Sequence, residues 1–137
     1  MCRFVRAAHY SSTSGSDYFK NANDSLIIIQ IEGKEGVNNL DSIIKQGGFD
    51  ILFIGPYDLS QSLGIPGQVE HPLVENTIRD IVRKCSEKNI IVGNFNDSVE
   101  IAKKWISFGI KYISYSVDVG IFYEGYRNIV NNLKKNY

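Results

Sequence analysis

Two carboxylates stand where apolar runs end. Glu32 closes LIIIQIE (26–32), and Asp58 lies three residues past ILFIG (51–55), in the stretch GPYD. A carboxylate fixed just beyond a buried strand is costly unless something compensates its charge, so Asp58 is expected to have a partner. In parallel α/β sheets, ligands meet the carboxyl ends of the strands. If the two runs are neighbouring strands, about 4.8 Å apart, both carboxylates reach one small cation. Gln30 shares the face of Glu32, because strand side chains repeat every two residues. Two carboxylates, with positions left for water and substrate oxygens, suit Mg²⁺ or Mn²⁺ better than a zinc site of soft ligands. The competing reading is that strand-end acids only cap the helices that follow, as Glu32 before Gly33-Lys34-Glu35 is placed to do. Spacing leaves both readings open.

Positioning such residues requires a particular set of elements. Four apolar runs recur along the chain, Leu26–Glu32, Ile51–Gly55, Ile90–Gly93 (IIVG) and Tyr112–Val117 (YISYSV), each followed by a turn and an amphipathic segment. Near-continuous apolarity suits strands buried on both faces of a parallel sheet. Val74, Ile78, Ile81, Val82 and Cys85 mark one face of a helix over roughly residues 73–88. The next helix is capped by Asn96 or Asp97, carries Val99, Ile101, Ala102, Trp105 and Ile106, and stops at Gly109. Gly47-Gly48 closes the helix before the second strand in the same way. A last helix, about 119–135, aligns Phe122, Tyr126, Ile129, Val130 and Leu133. Residues 9–25 are polar and turn-rich, with a short helix expected at 17–23; a loop of that length is usually functional or disordered. The pattern predicts one α/β domain over residues 1–137, with right-handed crossovers.

Composition narrows the function. Fifteen basic residues offset fifteen acidic ones among 137, so no basic field exists to draw nucleic acid. No apolar run approaches a membrane span. Cys2 and Cys85 lack metal-type spacing, and the simplest compartment is the cytoplasm with both thiols reduced. Cys85, on an apolar helix face, is expected to be a packed core thiol. Trp105, Tyr112 and Tyr115 fall at core-like spacings, and His71-Pro72 is a helix entry with Pro near its first position.

The segments IIIQIEGKEGVNNLDSII and GGFDILFIGPYDLSQSLGIPGQVEHPLV, with CRFVRAAHYS upstream, closely resemble the HpcH/HpaI aldolase family of class II pyruvate aldolases. The resemblance covers essentially the whole chain, and it favours the metal reading strongly. It implies that Glu32 and Asp58 ligate a divalent cation (Mg²⁺, Mn²⁺ or Co²⁺). It places Gln30 beside the metal and the bound keto acid, and brings the backbone at Pro56, Tyr57 and Asp58 close to the carboxylate of pyruvate. The activity it implies is cleavage of a 4-hydroxy-2-oxo or 2-keto-3-deoxy acid to pyruvate and an aldehyde. A cation on the keto oxygen suits that chemistry, since it stabilises the charge left when the carbon–carbon bond breaks.

A (β/α)₈ barrel usually takes about 250 residues, whereas this chain supplies four strand–helix units. The expected fold is therefore a partial TIM barrel, matching the C-terminal half of the family fold. The acid–base histidine and enolate-steadying arginine that the resemblance implies belong to the first half. His9 and Arg3 do not stand at those motif positions, and Arg6 in the RA motif serves structure or the site mouth. A half barrel has open edges and an uncovered inner face, expected to expose side chains such as Ile29 and Phe53 and to favour a homo-oligomer or a partner that supplies the other half. Three readings follow: a metal-dependent lyase, a non-catalytic fragment or assembly module that acts only when paired, and a citrate-lyase-β-like lyase of CoA esters. GPYDLSxSLGxPG looks more like the aldolase branch.

Overall fold

A computed structural model describes residues 6, 10, 12, 14–21 and 24–135. Four strands form one parallel sheet in sequence order: β1 (Ile28–Ile31), β2 (Ile51–Ile54), β3 (Ile91–Asn96) and β4 (Tyr112–Tyr115). Seven helices accompany them among the described residues. These are α1 (Gly15–Asn21), α2 (Lys34–Asn38), α3 (Leu40–Gln46), α4 (Pro56–Ser62), α5 (Pro72–Ser86), α6 (Val99–Ser107) and α7 (Asp118–Lys134). Each apolar run of the sequence holds a strand, although Leu26 and Ile27 remain outside β1 and exposed.

The register separates the two faces of the sheet. Ile29 lies opposite Leu52, and Ile31 opposite Ile54. With Val92 they pack against Leu40, Leu59, Val74, Ile78, Ile81, Val82, Cys85 and Trp105. Burying an aliphatic side chain of this size contributes roughly 1.5–3 kcal/mol, so this helix-covered face supplies most of the drive to fold. Cys85 is wholly buried there, and burial pushes its thiol up to about 11, as a core thiol requires.

The opposite face carries Ile28, Gln30, Phe53, Ile91, Gly93 and Tyr112. Ile28, Ile91 and Tyr112 are exposed on it. Phe53 belongs to this open face as expected, but Ile29 does not; one residue of alternation turns it into the core. Phe53 and Tyr112 meet edge-to-face at 6.0 Å across the intervening strand. Only glycine fits between them, since a Cβ at Gly93 would stand 2.6 Å from the Tyr112 ring.

Several elements differ from their expected form. The third strand runs on to Asn96, and its last turn toward α6 is capped by Ser98, whose hydroxyl accepts from the Ile101 amide at 3.4 Å. Asn96 is buried in the strand and Asp97 bonds elsewhere, so neither caps. The GPYDLSQS stretch, read from sequence as a turn, is a helix with Pro56 at its first position. Gly47 and Gly109 do end their helices in positive φ, at 63° and 106°. Trp105 is buried, but Tyr115 is 42% exposed and is not a core residue. The amphipathic helix α7 buries none of its residues; its stripe of Phe122, Tyr126, Ile129, Val130 and Leu133 faces solvent. No helix among the described residues is long and apolar enough to cross a membrane.

Candidate metal and keto-acid site at the strand ends

Gln30 is the third residue of β1 and Glu32 follows its end, so alternation projects both from the open face of the sheet. Their side chains join, with Gln30 Nε2 donating to Glu32 Oε2 at 2.5 Å. Both rest against Gly55, whose amide extends the β1–β2 ladder by donating to the Ile31 carbonyl at 3.2 Å. A Cβ at Gly55 would lie 3.1 Å from Gln30 Nε2, 3.1 Å from Glu32 Cβ and 3.2 Å from Glu32 Oε2. Glycine at this position leaves a cradle that the amide and carboxylate fill. Gly55 is also the N-cap of α4, so Asp58 stands in the first turn of that helix, three residues beyond the cradle.

The helix-capping explanation for the two acids fails in the structure. The N-cap of α2 is Gly33, with no side-chain cap bond, and the Lys34 amide is taken by Ser62 Oγ at 2.9 Å. The N-cap of α4 is Gly55, again without a side-chain cap. The Asp58 carboxylate forms no hydrogen bond or ion pair with the described residues, and both carboxylates are exposed. The expectation that burial forces a partner on Asp58 is therefore corrected. Helix α4 carries it out to solvent, where hydration meets its charge. What favours a cation is two carboxylates beyond adjacent strand ends that cap no helix, one of them oriented by an amide. The described residues include no group of three His, Cys, Asp or Glu side chains. The donor set is thus oxygen-rich and incomplete, which suits a hard cation that keeps water or substrate oxygens.

Serines that the sequence reading passed over fix the geometry. Ser60 is fully buried; its hydroxyl donates to the Tyr57 carbonyl at 2.6 Å and accepts from the Gly67 amide at 2.9 Å. It thereby ties α4 to the Gly64–Gly67 loop. Ser62 joins α4 to the start of α2, as above. The available signal was their place in DLSQSLGIPG, where two serines precede a turn with glycines at φ 86° and 77°. His71 caps α5, its Nδ1 accepting from the Leu73 amide at 3.1 Å, which confirms the helix-entry reading. Arg6 is exposed and no described contact brings it to the site. Cys2, Arg3 and His9 lie outside the described residues.

Tyr57 adds a contact that no sequence spacing suggests. Its hydroxyl donates to Asp97 Oδ2, forty residues away, and its ring meets Phe95 edge-on at 6.3 Å. Donation to Asp97, then burial, then the Asp97 charge push the phenol up to about 12. The unfolded chain titrates at about 10. The stabilisation from this pair is therefore fully present below pH 10 and is lost as pH rises through about 12. Alkaline unfolding measurements should show the wild type losing stability over that window more steeply than Tyr57→Phe. Coincident pH profiles would contradict the pairing in solution.

Comparison with known proteins identifies the family and the fold. Residues 3–124 match the family described as HpcH/HpaI aldolase/citrate lyase. A 5-keto-4-deoxy-D-glucarate aldolase of Escherichia coli O157:H7 is 31% identical over 136 residues, which is 97% of this chain and 53% of that protein. A crystal structure of an HpcH/HpaI aldolase/citrate lyase family protein from Burkholderia cenocepacia superimposes with a TM-score of 0.83 at 30% identity, covering 98% of this chain and 52% of the other. An HpcH/HpaI aldolase from Desulfitobacterium hafniense gives 0.75 at 29% identity, covering 89% and 48%. The chain spans about half the length of the relatives it matches.

Proposed function

Because the chain belongs to the HpcH/HpaI aldolase/citrate lyase family, we propose that its strand-end carboxylates serve a metal-dependent lyase that cleaves a 4-hydroxy-2-oxo or 2-keto-3-deoxy acid to pyruvate and an aldehyde. The observation that carries this reading is the Gln30–Glu32 pair seated on Gly55, with Asp58 one turn away and neither acid spent on a helix cap. Glu32 and Asp58 would hold Mg²⁺, Mn²⁺ or Co²⁺. When bound, the cation supplies positive charge to the keto oxygen and carboxylate of the substrate.

The remaining roles fall to the chain itself. Gln30 holds the Glu32 carboxylate in one orientation through its amide N–H, as outer partners of metal ligands commonly do. The turn at Gly55 and Pro56 presents the backbone of Pro56, Tyr57 and Asp58 toward the keto-acid carboxylate. Ser60 keeps that first turn of α4 from moving. The cytoplasm, which keeps a buried thiol such as Cys85 reduced, is the compartment we assign.

Binding tests the reading without relying on turnover. Calorimetry should show pyruvate binding to the chain in Mn²⁺ or Mg²⁺, losing the heat on chelation with EDTA and regaining it on adding metal. Pyruvate binding that is indifferent to EDTA would refute the metal-dependent site.

A further inference from the structure

The contact between Tyr57 and Asp97 lies on the same face and at the same end of the sheet as Gln30 and Glu32. Phe95, on which the Tyr57 ring leans, alternates with Gly93 and Ile91 onto the open face. Asp97 follows the end of β3 and is exposed, with no Lys or Arg partner among the described residues. Tyr57 is the chain neighbour of Asp58, so the tyrosine that bonds Asp97 belongs to the same helical turn as the proposed metal carboxylate. The mouth of the site therefore has one flank built from an aromatic wall and a fixed negative charge.

We propose that the Tyr57–Asp97 pair receives the distal end of the substrate and selects 2-keto-3-deoxy acids with uncharged, hydroxylated tails over those that end in a second carboxylate. This rests on the metal and keto-acid reading of Glu32 and Asp58. Hydroxyls on the tail donate to the oxygens of Asp97. Tyr57 commits its one proton to Asp97, so it has only lone pairs to offer the tail. A second carboxylate would meet a like charge and no donor, while giving up its own hydration. The expected preference is opposite to the dicarboxylate named in 5-keto-4-deoxy-D-glucarate aldolase, a relative of this chain.

The test is a set of calorimetric titrations of the Mn²⁺-loaded chain at low ionic strength, where an exposed charge is least screened. The probes are pyruvate and two six-carbon 2-keto-3-deoxy acids, one ending in a hydroxymethyl group and the other in a carboxylate. The hydroxymethyl acid should bind about fivefold tighter, the scale of one exposed charge contact. Asp97→Asn should bring the ratio close to one, through a gain in affinity for the dicarboxylate. Tyr57→Phe, which leaves the charge but frees it from its anchor, should narrow the ratio without reversing it. Both positions are exposed, so thermal midpoints near that of the wild type will show that the variants fold. Equal affinity for the two acids in the wild type, tighter binding of the dicarboxylate, or an unchanged ratio in Asp97→Asn would overturn the inference. Pyruvate binding with neither six-carbon acid following would overturn it as well, while leaving the metal reading intact. Absence of pyruvate binding would sink that reading and the inference together.

Discussion

Replacing Glu32 by Gln or Asp58 by Asn is expected to remove Mn²⁺ binding from this chain, each change weakening it by more than about 100-fold. The scale follows from what outer partners alone contribute: losing a residue that orients a ligand typically costs about 10–100-fold in metal affinity. Gln30→Ala, which leaves both carboxylates but releases Glu32 from its 2.5 Å bond, should fall within that lower range. The ordering of the variants is informative, because a diffuse attraction of cations to acidic surface would weaken equally with any one charge removed and would not respond to Gln30. Glu32 and Asp58 are exposed and cap no helix, so all three variants should unfold close to the wild-type temperature. Mn²⁺ affinity unchanged in both carboxylate variants would end the assignment of the site.

The second large effect concerns catalysis by these 137 residues on their own, which should release pyruvate at a rate near background. The family resemblance implies an acid–base histidine and an enolate-steadying arginine, and no position of this sequence matches either. A positioned general base typically contributes 10²–10⁴-fold, and a donor to the developing charge about 10²–10³-fold. Charge supplied at the keto oxygen cannot substitute for a group that takes the proton from the 4-hydroxyl. We expect the chain to act paired, either with further copies or with a partner that supplies the other half of a barrel. The open sheet face and the apolar stripe of α7, where Phe122 is 67% exposed, are the surfaces such pairing would cover. Sedimentation at micromolar concentration should show self-association, and the N-terminal half of a related barrel should raise pyruvate release. A sharp monomer boundary together with robust turnover would refute both expectations, and would direct attention to Arg3, Arg6 and His9 as substitutes.

The family that the motifs resemble fits these results at the level of fold. A parallel sheet in strand order β1-β2-β3-β4, superimposing on half of an HpcH/HpaI family structure, is what the four apolar runs and their amphipathic segments predict. Gly93 illustrates how the open face is shaped for a barrel interior rather than for solvent. It lets Phe53 and Tyr112 lean together over β3, a contact that would serve no purpose on a polar outer surface.

The amino-acid sequence by itself determined the features that depend on near neighbours. Alternation put Gln30 and Glu32 on one face, helical spacing put Cys85 in the core, and Gly47, Gly109 and His71-Pro72 marked helix ends through their own backbone chemistry. Tertiary structure decided whatever depends on which strand lies beside which, and at what register. It seated Gln30 and Glu32 on Gly55, turned Ile29 into the core while leaving Phe53 on the open face, and joined Tyr57 to Asp97. It also drew β3 past Gly93 to Asn96, because β4 pairs with those residues as far as Tyr115, and so moved the cap of α6 to Ser98. The physical reason is common to all of these. Periodicity and turn preference act over a few residues, whereas one residue of strand register decides the face of every side chain, and that register is fixed by packing between segments far apart in the chain.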